Sequence, residues 1–357
     1  MRILHGMREI AGQAYYSALG LRENKLDAKA VLWDKSKFNY EVDECLDIDF
    51  SQKLFYPYYL LKIFWLYLKK RKQCDVFHFH FGYSMLPRNC DIPVLRRSGK
   101  KVFLEFHGTD VRIRDIAISH NPVLSEVDSS IFRSKEQILA MQERLIPYSD
   151  GVIIHDDELL PYICNCENVN VVPLRIDLNR FSSCYPENQN NHVVIVHAPS
   201  RREGKGSKFI LKALKKIQDK YPFVEIVLVE DRSQEEALRL YSRADIIIDQ
   251  LIAGTYGVFA VESMALGKPV ISYVTERMKA RLPEELPIVS ATIDDIYYAV
   301  EGLVENPNKR VSLGQQGRKY VEHYHDCRKV AKLLEKIYAG EVRNLTGREA
   351  FRYIREH

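Results

Sequence analysis

Short apolar runs alternate with longer stretches of helical periodicity along the whole of this chain. Antiparallel strands can be joined by a tight turn, whereas parallel strands need a crossover of a dozen residues or more, usually a helix. The alternation therefore predicts parallel sheets with crossover helices, an α/β fold. Residues 2–5, 29–33, 76–80, 102–106, 151–154 and 169–172 form the first set of expected strands, most of them rich in β-branched or aromatic side chains. A polar stretch, 182–192, with Pro186, Glu187 and four Asn or Gln residues, interrupts the pattern. A second set follows at 193–197, 224–229, 246–248 and 270–273, with 287–289 as a candidate fifth. Helices are expected at 207–220, 234–241, 258–266, 293–304 and 308–324, where apolar residues recur at steps of three and four, as at Ile210, Leu211, Leu214 and Ile217.

Two α/β halves fit the length of 357 residues, more than one hydrophobic core usually serves. The expected division is 1–185, 186–340 and a tail, 341–357, that either crosses back to the first half as a helix or frays. In such folds ligands sit beyond the carboxyl ends of the strands, where strand order reverses. The residues just after each strand are where chemistry is to be sought.

Several classes of function are disfavoured. The longest apolar run, 55–68, is broken by Pro57 and Lys62 and falls short of the roughly 20 residues of a membrane span. The opening residues 1–6 read as a strand and not as a signal-peptide core. Seven scattered cysteines, an odd number with no C-x-x-C pair, suit a reducing cytoplasm. A formal net charge of +4, with basic and acidic residues interleaved, does not suggest nucleic-acid binding. One local exception is Lys69, Lys70, Arg71 and Lys72 after an aromatic run, a combination that can dock on the anionic inner face of a membrane. The plainer reading is a helix packed on a sheet with a solvated basic end.

The strongest chemical signal runs from Asp249 to Ile271. An expected strand is followed by Gln250, a loop carrying Gly254, Thr255, Tyr256 and Gly257, a helix opening near Val258, and a glycine stop at Gly267. The two loop glycines permit close backbone approach, and N–H groups at a helix start favour a phosphate. Glu262 lies about one turn into that helix, where a carboxylate can accept hydrogen bonds from ribose hydroxyls. The ordinary alternative is a strand-to-helix connection with a surface glutamate. A second signal follows residues 193–197: Ser200, Arg201, Arg202 and Lys205, three cations in five residues, enter a helix for which Ser207 is a candidate N-cap. Such a loop can neutralise a diphosphate, or be a solvated basic surface.

In the first half, His107 follows the strand at 102–106 in the run His107-Gly108-Thr109-Asp110. It is placed to hydrogen-bond a substrate hydroxyl or to meet developing charge; a structural histidine bonded to Asp110 is the rival. Gly12, in the turn after the first strand, offers a close-approach glycine. His78 and His80 share one face of a strand and could chelate a metal, but no further ligand is evident from the sequence. No metal is expected.

At these residues the chain resembles the retaining, nucleotide-sugar-dependent glycosyltransferases of family four, whose fold is GT-B: two Rossmann-like domains facing each other across a cleft. The resemblance rests on Ile10-Ala11-Gly12-Gln13, on His107-Gly108-Thr109-Asp110, on Lys205-Gly206, on Glu262, and on 173–181, where the family's Asn-Gly pair is replaced by Leu174-Arg175. It implies that Lys205 meets the leaving diphosphate, with Arg202 or Arg201 as the arginine, and that Glu262 binds ribose. The family's first glutamate is missing, since Gly254 stands there; Asp249 and Gln250 are the neighbouring candidates to replace it.

The activity so implied is transfer of a sugar from a nucleotide-diphosphate donor to a glycan or lipid-linked acceptor with retention. The nucleotide sugar is a co-substrate, and no other cofactor is expected. A non-catalytic GT-B partner subunit and a nucleotide-sugar epimerase are the rival expectations.

Overall fold

Every strand pairing in the computed structural model, which describes residues 1–35, 38–187 and 191–357, is parallel. The strands are β1 (Arg2–Met7), β2 (Asp27–Leu32), β3 (Glu44–Cys45), β4 (Val76–His80), β5 (Lys101–Phe106), β6 (Gly151–Ile154), β7 (Val169–Val171), β8 (Val193–His197), β9 (Val224–Leu228), β10 (Ile246–Ile248) and β11 (Val270–Ile271). They form a seven-stranded sheet in the order β3-β2-β1-β4-β5-β6-β7 and a four-stranded sheet in the order β11-β10-β8-β9.

The chain divides into two compact units. Unit 1 comprises Met1–Ile113, Phe132–Asp177 and Cys327–His357; unit 2 comprises Arg114–Ile131 and Leu178–Asp326. This differs from the expected division in three places. Residues 178–185 pack with unit 2, where Cys184 N–H donates to Leu266 O and the Arg318 guanidinium to Phe181 O. Arg114–Ile131, from the first half of the sequence, also belongs to unit 2. The return to unit 1 begins at Cys327: the helix Cys327–Ala339 lies on Gln13–Glu23, so close that a Cβ on Gly20 would fall 2.1 Å from Cys327 O. Of the polar stretch expected as the boundary, 188–190 lie outside the described residues.

Unit 1 has its switch point between β1 and β4, both of which are fully buried along their central residues. Unit 2 has its own between β8 and β10, since β9 flanks one side and β10 and β11 the other. Its core joins Ile195 and Ile248 of the sheet to Ile210, Leu214 and Ile217 on one face of the helix Ser207–Lys220, with Val300 and Leu303 beside them. Burial of that one face fixes the helix on the sheet. The candidate fifth strand at 287–289 contributes a single parallel bridge, Ile271 with Val289, and β3 was not legible as a strand because it is two residues long.

Candidate functional site

The switch point of unit 2 brings two loops together, 198–206 after β8 and 249–257 after β10. The first is a short helix, Arg202–Lys205, ended by Gly206 at φ 75°. That left-handed conformation suits glycine, and a Cβ there would also approach Ile252 to 3.0 Å. Gly206, not Ser207, is the N-cap of the following helix. The Ser207 hydroxyl is turned to His197 Nε2 at 2.7 Å, while His197 Nδ1–H donates to Ile248 O at 2.9 Å. Because the carbonyl can only accept, this fixes the tautomer of His197. Burial lowers its pKa to about 4, so it is neutral.

Asp249 clamps the two loops. One carboxylate oxygen accepts from Lys205 Nζ at 2.6 Å and the other from Gly257 N–H at 3.0 Å, with the Asp249 side chain fully buried and that of Lys205 20% exposed. Gly257 is the N-cap of the helix Val258–Ala265. The ammonium and the helix-start N–H that the sequence offered to a phosphate are therefore both engaged by an internal carboxylate. Lys205 keeps two further ammonium donors for an incoming anion.

The other expected donor residues fare differently. Arg202 is held in a two-pronged pair by Glu230, whereas Arg201 and Ser200 are exposed and Arg201 makes no ion pair among the described residues. Gln250 is buried and its amide builds the loop: Oε1 accepts from the Ile252 and Ala253 N–H groups, and Nε2 donates to Thr255 O and Tyr273 O. Neither Asp249 nor Gln250 is free to stand in for the missing glutamate. Gly254 has φ 77°, and a Cβ there would lie 2.9 Å from Thr275 Cγ2 and 3.3 Å from Asn121 Nδ2. The loop is thus rebuilt around glycine, and no side chain is accommodated at 254. Thr255 is buried, and Tyr256 points into the core, its hydroxyl 3.1 Å from that of Tyr320 and 3.2 Å from His325 Nε2. Glu262 is buried with Oε1 accepting from Gln234 Nε2 at 2.7 Å, so it is not the surface glutamate of the ordinary alternative. Asn121, from the segment that precedes β6 in sequence, donates to Ile252 O at 2.6 Å and was not legible as part of this loop.

Unit 1 holds a second cluster, around His107 at the end of β5. The His107 backbone N–H, not its ring, bonds Asp110 Oδ1 at 3.0 Å, and Gly108 N–H does the same at 2.8 Å. Burial pushes the Asp110 carboxyl up to about 6, against these hydrogen bonds. The ring instead enters a buried run. His107 Nε2 lies 3.1 Å from His80 Nδ1, His80 Nε2 3.3 Å from His5 Nδ1, His5 Nε2 3.2 Å from the Tyr338 hydroxyl, and that hydroxyl 2.5 Å from His78 Nδ1. His78 Nε2 ends the run 3.0 Å from Glu105 Oε2, close but off the line of a good hydrogen bond. Arg175 Nη2 donates to the same oxygen at 2.6 Å, and Arg175 Nε to Ser17 Oγ at 2.6 Å. Gln13 bonds both the N–H and the carbonyl of Arg175. The Leu174-Arg175 replacement of the family's Asn-Gly pair thus supplies the cation of a buried ion pair. Gly12, at φ 77°, leaves no room for a Cβ, which would fall 2.5 Å from the Tyr16 ring.

The charges of this cluster are set by its surroundings. Burial pushes the Glu105 carboxyl up, but Arg175 and the imidazoles outweigh it and hold it well below the usual range. Burial lowers His5, His78 and His80, and brings His107 to about 3. Each ring therefore carries one proton. With neutral rings the run has two polarities: every ring donates toward Glu105, or His78 turns a lone pair on the carboxylate. The first polarity points the His78 proton at the carboxylate across 3.0 Å and leaves the His80 Nδ1 lone pair 3.5 Å from the same oxygen; the shorter contact weighs more, which favours the first polarity. It places the His107 proton on Nε2 and leaves Nδ1 as a hydrogen-bond acceptor.

Two trios, His5 with His78 and His80, and His80 with Glu105 and His107, bring ligand atoms within 4.8 Å of one another. The further ligands that the sequence did not reveal beside His78 and His80 are thus present. A divalent cation there would sit beside the buried Arg175 guanidinium, with one carboxylate against three positive charges, and neutral hydrogen-bonded rings are the more favourable occupancy.

No protein-family model and no curated protein matches the chain. Among solved structures it is similar to sucrose-phosphate synthase from Thermosynechococcus elongatus, with 14% identity over 96% of this chain and 99% of that one and a TM-score of 0.64. It is similar also to HepE of Anabaena in complex with UDP and glucose, with 12% identity over 95% and 99% and a TM-score of 0.63. A third, from Listeria monocytogenes and provisionally named a UDP-N-acetylglucosamine 2-epimerase, has 13% identity over 97% and 98% and a TM-score of 0.56. Likeness over nearly the full length of each chain, together with two parallel sheets each with its own switch point, establishes that this protein has the GT-B fold.

Proposed function

We propose that the protein is a retaining glycosyltransferase that moves a hexose-type unit from a nucleotide-diphosphate sugar to a glycan or lipid-linked acceptor, in the synthesis of cell-surface polysaccharide or glycoconjugates. The observation that carries this reading is the pairing at the unit 2 switch point: Lys205, held by Asp249, stands beside the start of a helix, with the unpaired Arg201 in the same loop. Held in place, the ammonium stabilises the departing diphosphate without reorganising as charge develops. The buried Glu262 is assigned to the ribose and would exchange Gln234 for its hydroxyls. In unit 1, His107 Nδ1 accepts from a sugar hydroxyl. Metal independence belongs to the same reading, since the diphosphate charge is offset by Lys205 and Arg201, and so does a cytoplasmic enzyme with peripheral membrane contact.

That HepE binds UDP and glucose supports a uridine nucleotide as the first donor to try. Binding and slow hydrolysis measured across UDP-, GDP- and ADP-sugars test the proposal. Hydrolysis of one donor, lost on Lys205→Met, is the expected outcome; absence of any nucleotide-sugar binding would refute it. One observation favours a second reading, a non-catalytic partner subunit: position 254 cannot carry a carboxylate, and Asp249 and Gln250 are spent within the loop. Tight donor binding with neither hydrolysis nor transfer would select that reading. Interconversion of donor sugars without acceptor would select the epimerase.

A further inference from the structure

The helix Tyr56–Gln73 should be amphipathic if it serves only as the crossover between β3 and β4, with its apolar face on the sheet. It buries Ile63, Leu66, Tyr67 and Lys70. Tyr59 and Leu68 are half-buried, and the rest of its apolar residues, with the turn before it, face outward. Leu54 is 88% exposed, Tyr58 58%, Leu61 55% and Trp65 64%, with Phe55, Leu60 and Phe64 each exposed by more than two fifths. Positions 58, 61 and 65 recur at steps of three and four, so they form one ridge along the helix, and Leu54 is exposed in the turn just before it. Single exposed apolar residues are ordinary, but a contiguous ridge of this kind marks an interaction surface. The plainer expectation, a helix packed on a sheet with a solvated basic end, accounts for the buried face and for the exposed Lys69 and Lys72, but not for the apolar residues that face outward.

The charge on the same segment identifies the partner. Residues 51–73 contain Lys53, Lys62, Lys69, Lys70, Arg71 and Lys72 and no aspartate or glutamate. Lys70 is used internally by Glu44 and Arg71 by Ser98, but Lys69 and Lys72 are exposed and make no ion pair among the described residues. An outward ridge of Leu, Phe, Tyr and Trp flanked by unpaired lysines matches a bilayer interface: aromatic rings seat at the headgroup level and lysines meet anionic phosphates. No helix among the described residues is long and apolar enough to cross a membrane, so the contact is one of lying on the surface. We infer that Leu54 to Lys72 is a docking surface for an anionic lipid bilayer.

The topology gives the contact a use. A crossover helix runs antiparallel to the strands it joins, so its first turns, with Leu54, Tyr58 and Leu61, lie toward the carboxyl edge of the unit 1 sheet, the edge at which His107 stands. Docking would bring that edge to lipid-linked acceptors. This deepens the peripheral location proposed above and rests on it, but not on the sugar chemistry.

The chain has two tryptophans, so Trp33→Phe leaves Trp65 as the reporter. With vesicles of phosphatidylcholine containing about one third phosphatidylglycerol, Trp65 emission is expected to shift to the blue and the protein to float with the lipid; pure phosphatidylcholine should bind it far more weakly. Lys69→Gln with Lys72→Gln should weaken binding to the anionic vesicles about twenty-five-fold, at roughly fivefold per lysine. Leu61→Ser with Trp65→Ser should weaken it at least tenfold, followed by flotation, while leaving nucleotide-sugar hydrolysis in lipid-free solution unchanged. All four side chains are exposed, so folding is not at stake. Trp65 emission unmoved by anionic vesicles would overturn the proposal. So would a blue shift without lipid that grows with protein concentration, which would assign the ridge to a second copy of the chain. Vesicle binding by a protein that shows no nucleotide-sugar turnover would leave this inference standing and remove only the enzymatic reading.

Discussion

Replacing Lys205 by alanine tests the unit 2 clamp and its chemistry at once, because the lysine is asked to do two things. Asp249 is fully buried and its carboxylate has two partners, Lys205 Nζ at 2.6 Å and Gly257 N–H at 3.0 Å. Removing the ammonium leaves a buried charge with a single neutral donor. Breaking a buried pair in this way costs about 3 to 5 kcal/mol, and because Lys205 is 20% exposed the lower end, about 3 kcal/mol, applies. In a domain of this size 1 kcal/mol corresponds to roughly 2 to 4 °C, so Lys205→Ala should lower the melting transition of unit 2 by about 10 °C. Turnover should fall by more than about tenfold if the ammonium meets developing charge on the diphosphate. The two effects separate in a cycle. Asp249→Asn alone removes the charge while keeping an oxygen for Gly257 N–H, and in the Lys205→Ala/Asp249→Asn double variant most of the lost stability should return while turnover does not. Scanning calorimetry and hydrolysis of the preferred donor are the two assays. A Lys205→Ala protein that melts within about 2 °C of the wild type would refute the clamp. A double variant that regains turnover would refute the assignment of Lys205 to the phosphate.

Long-range 1H–15N spectra should show His107, His80, His5 and His78 all carrying their proton on Nε2; a proton on His107 Nδ1 would contradict the polarity set by Glu105. Glu105→Gln removes the anion that orders the run, and the tautomers should then become mixed or reverse. Acid should unfold unit 1 steeply. The four histidines are neutral when folded, with pKa values lowered by burial, whereas the unfolded chain takes up protons near pH 6.5. Below that pH the unfolded state binds more protons, so stability falls with falling pH by up to about 1.4 kcal/mol per unit for each histidine. Asp110, whose pKa is raised to about 6, works in the opposite direction and offsets about one of the four. Near-UV circular dichroism should show cooperative loss between roughly pH 6 and 4.5, and a native signal persisting at pH 4 would refute the neutral cluster. Gly254→Glu restores the family's residue in sequence only: positive φ and the Thr275 contact should cost about 2 to 4 kcal/mol, and hydrolysis should not rise. A stable, more active variant would show that the loop can accept the side chain.

Much of the architecture was written in local pattern. The α/β class and the helix Ser207–Lys220 follow from alternating apolar runs and three-and-four spacing, because strand and helix periods are properties of neighbouring residues. The loops after β8 and β10 were also legible, because they follow strands in the sequence. What those loops do with their side chains was not. That Asp249 engages Lys205, that Glu230 engages Arg202, and that Gln250 is spent on backbone amides depend on distances across 44, 28 and a few residues, which spacing cannot express. The histidine run was the least legible feature. His5, His80, His107 and Tyr338 meet only because β1, β4 and β5 are neighbours in the sheet and because the chain returns to unit 1 at Cys327. The exposure of the aromatic ridge is of the same kind, since a run such as Tyr58 to Trp65 reads alike whether it faces a sheet or faces outward. By itself the sequence determined the repeating strand and helix units and the loops at the carboxyl ends of the strands. Only the tertiary structure decided which charges are paired, which rings share protons and which apolar face is left uncovered, because pairing and burial are properties of residues brought together by folding.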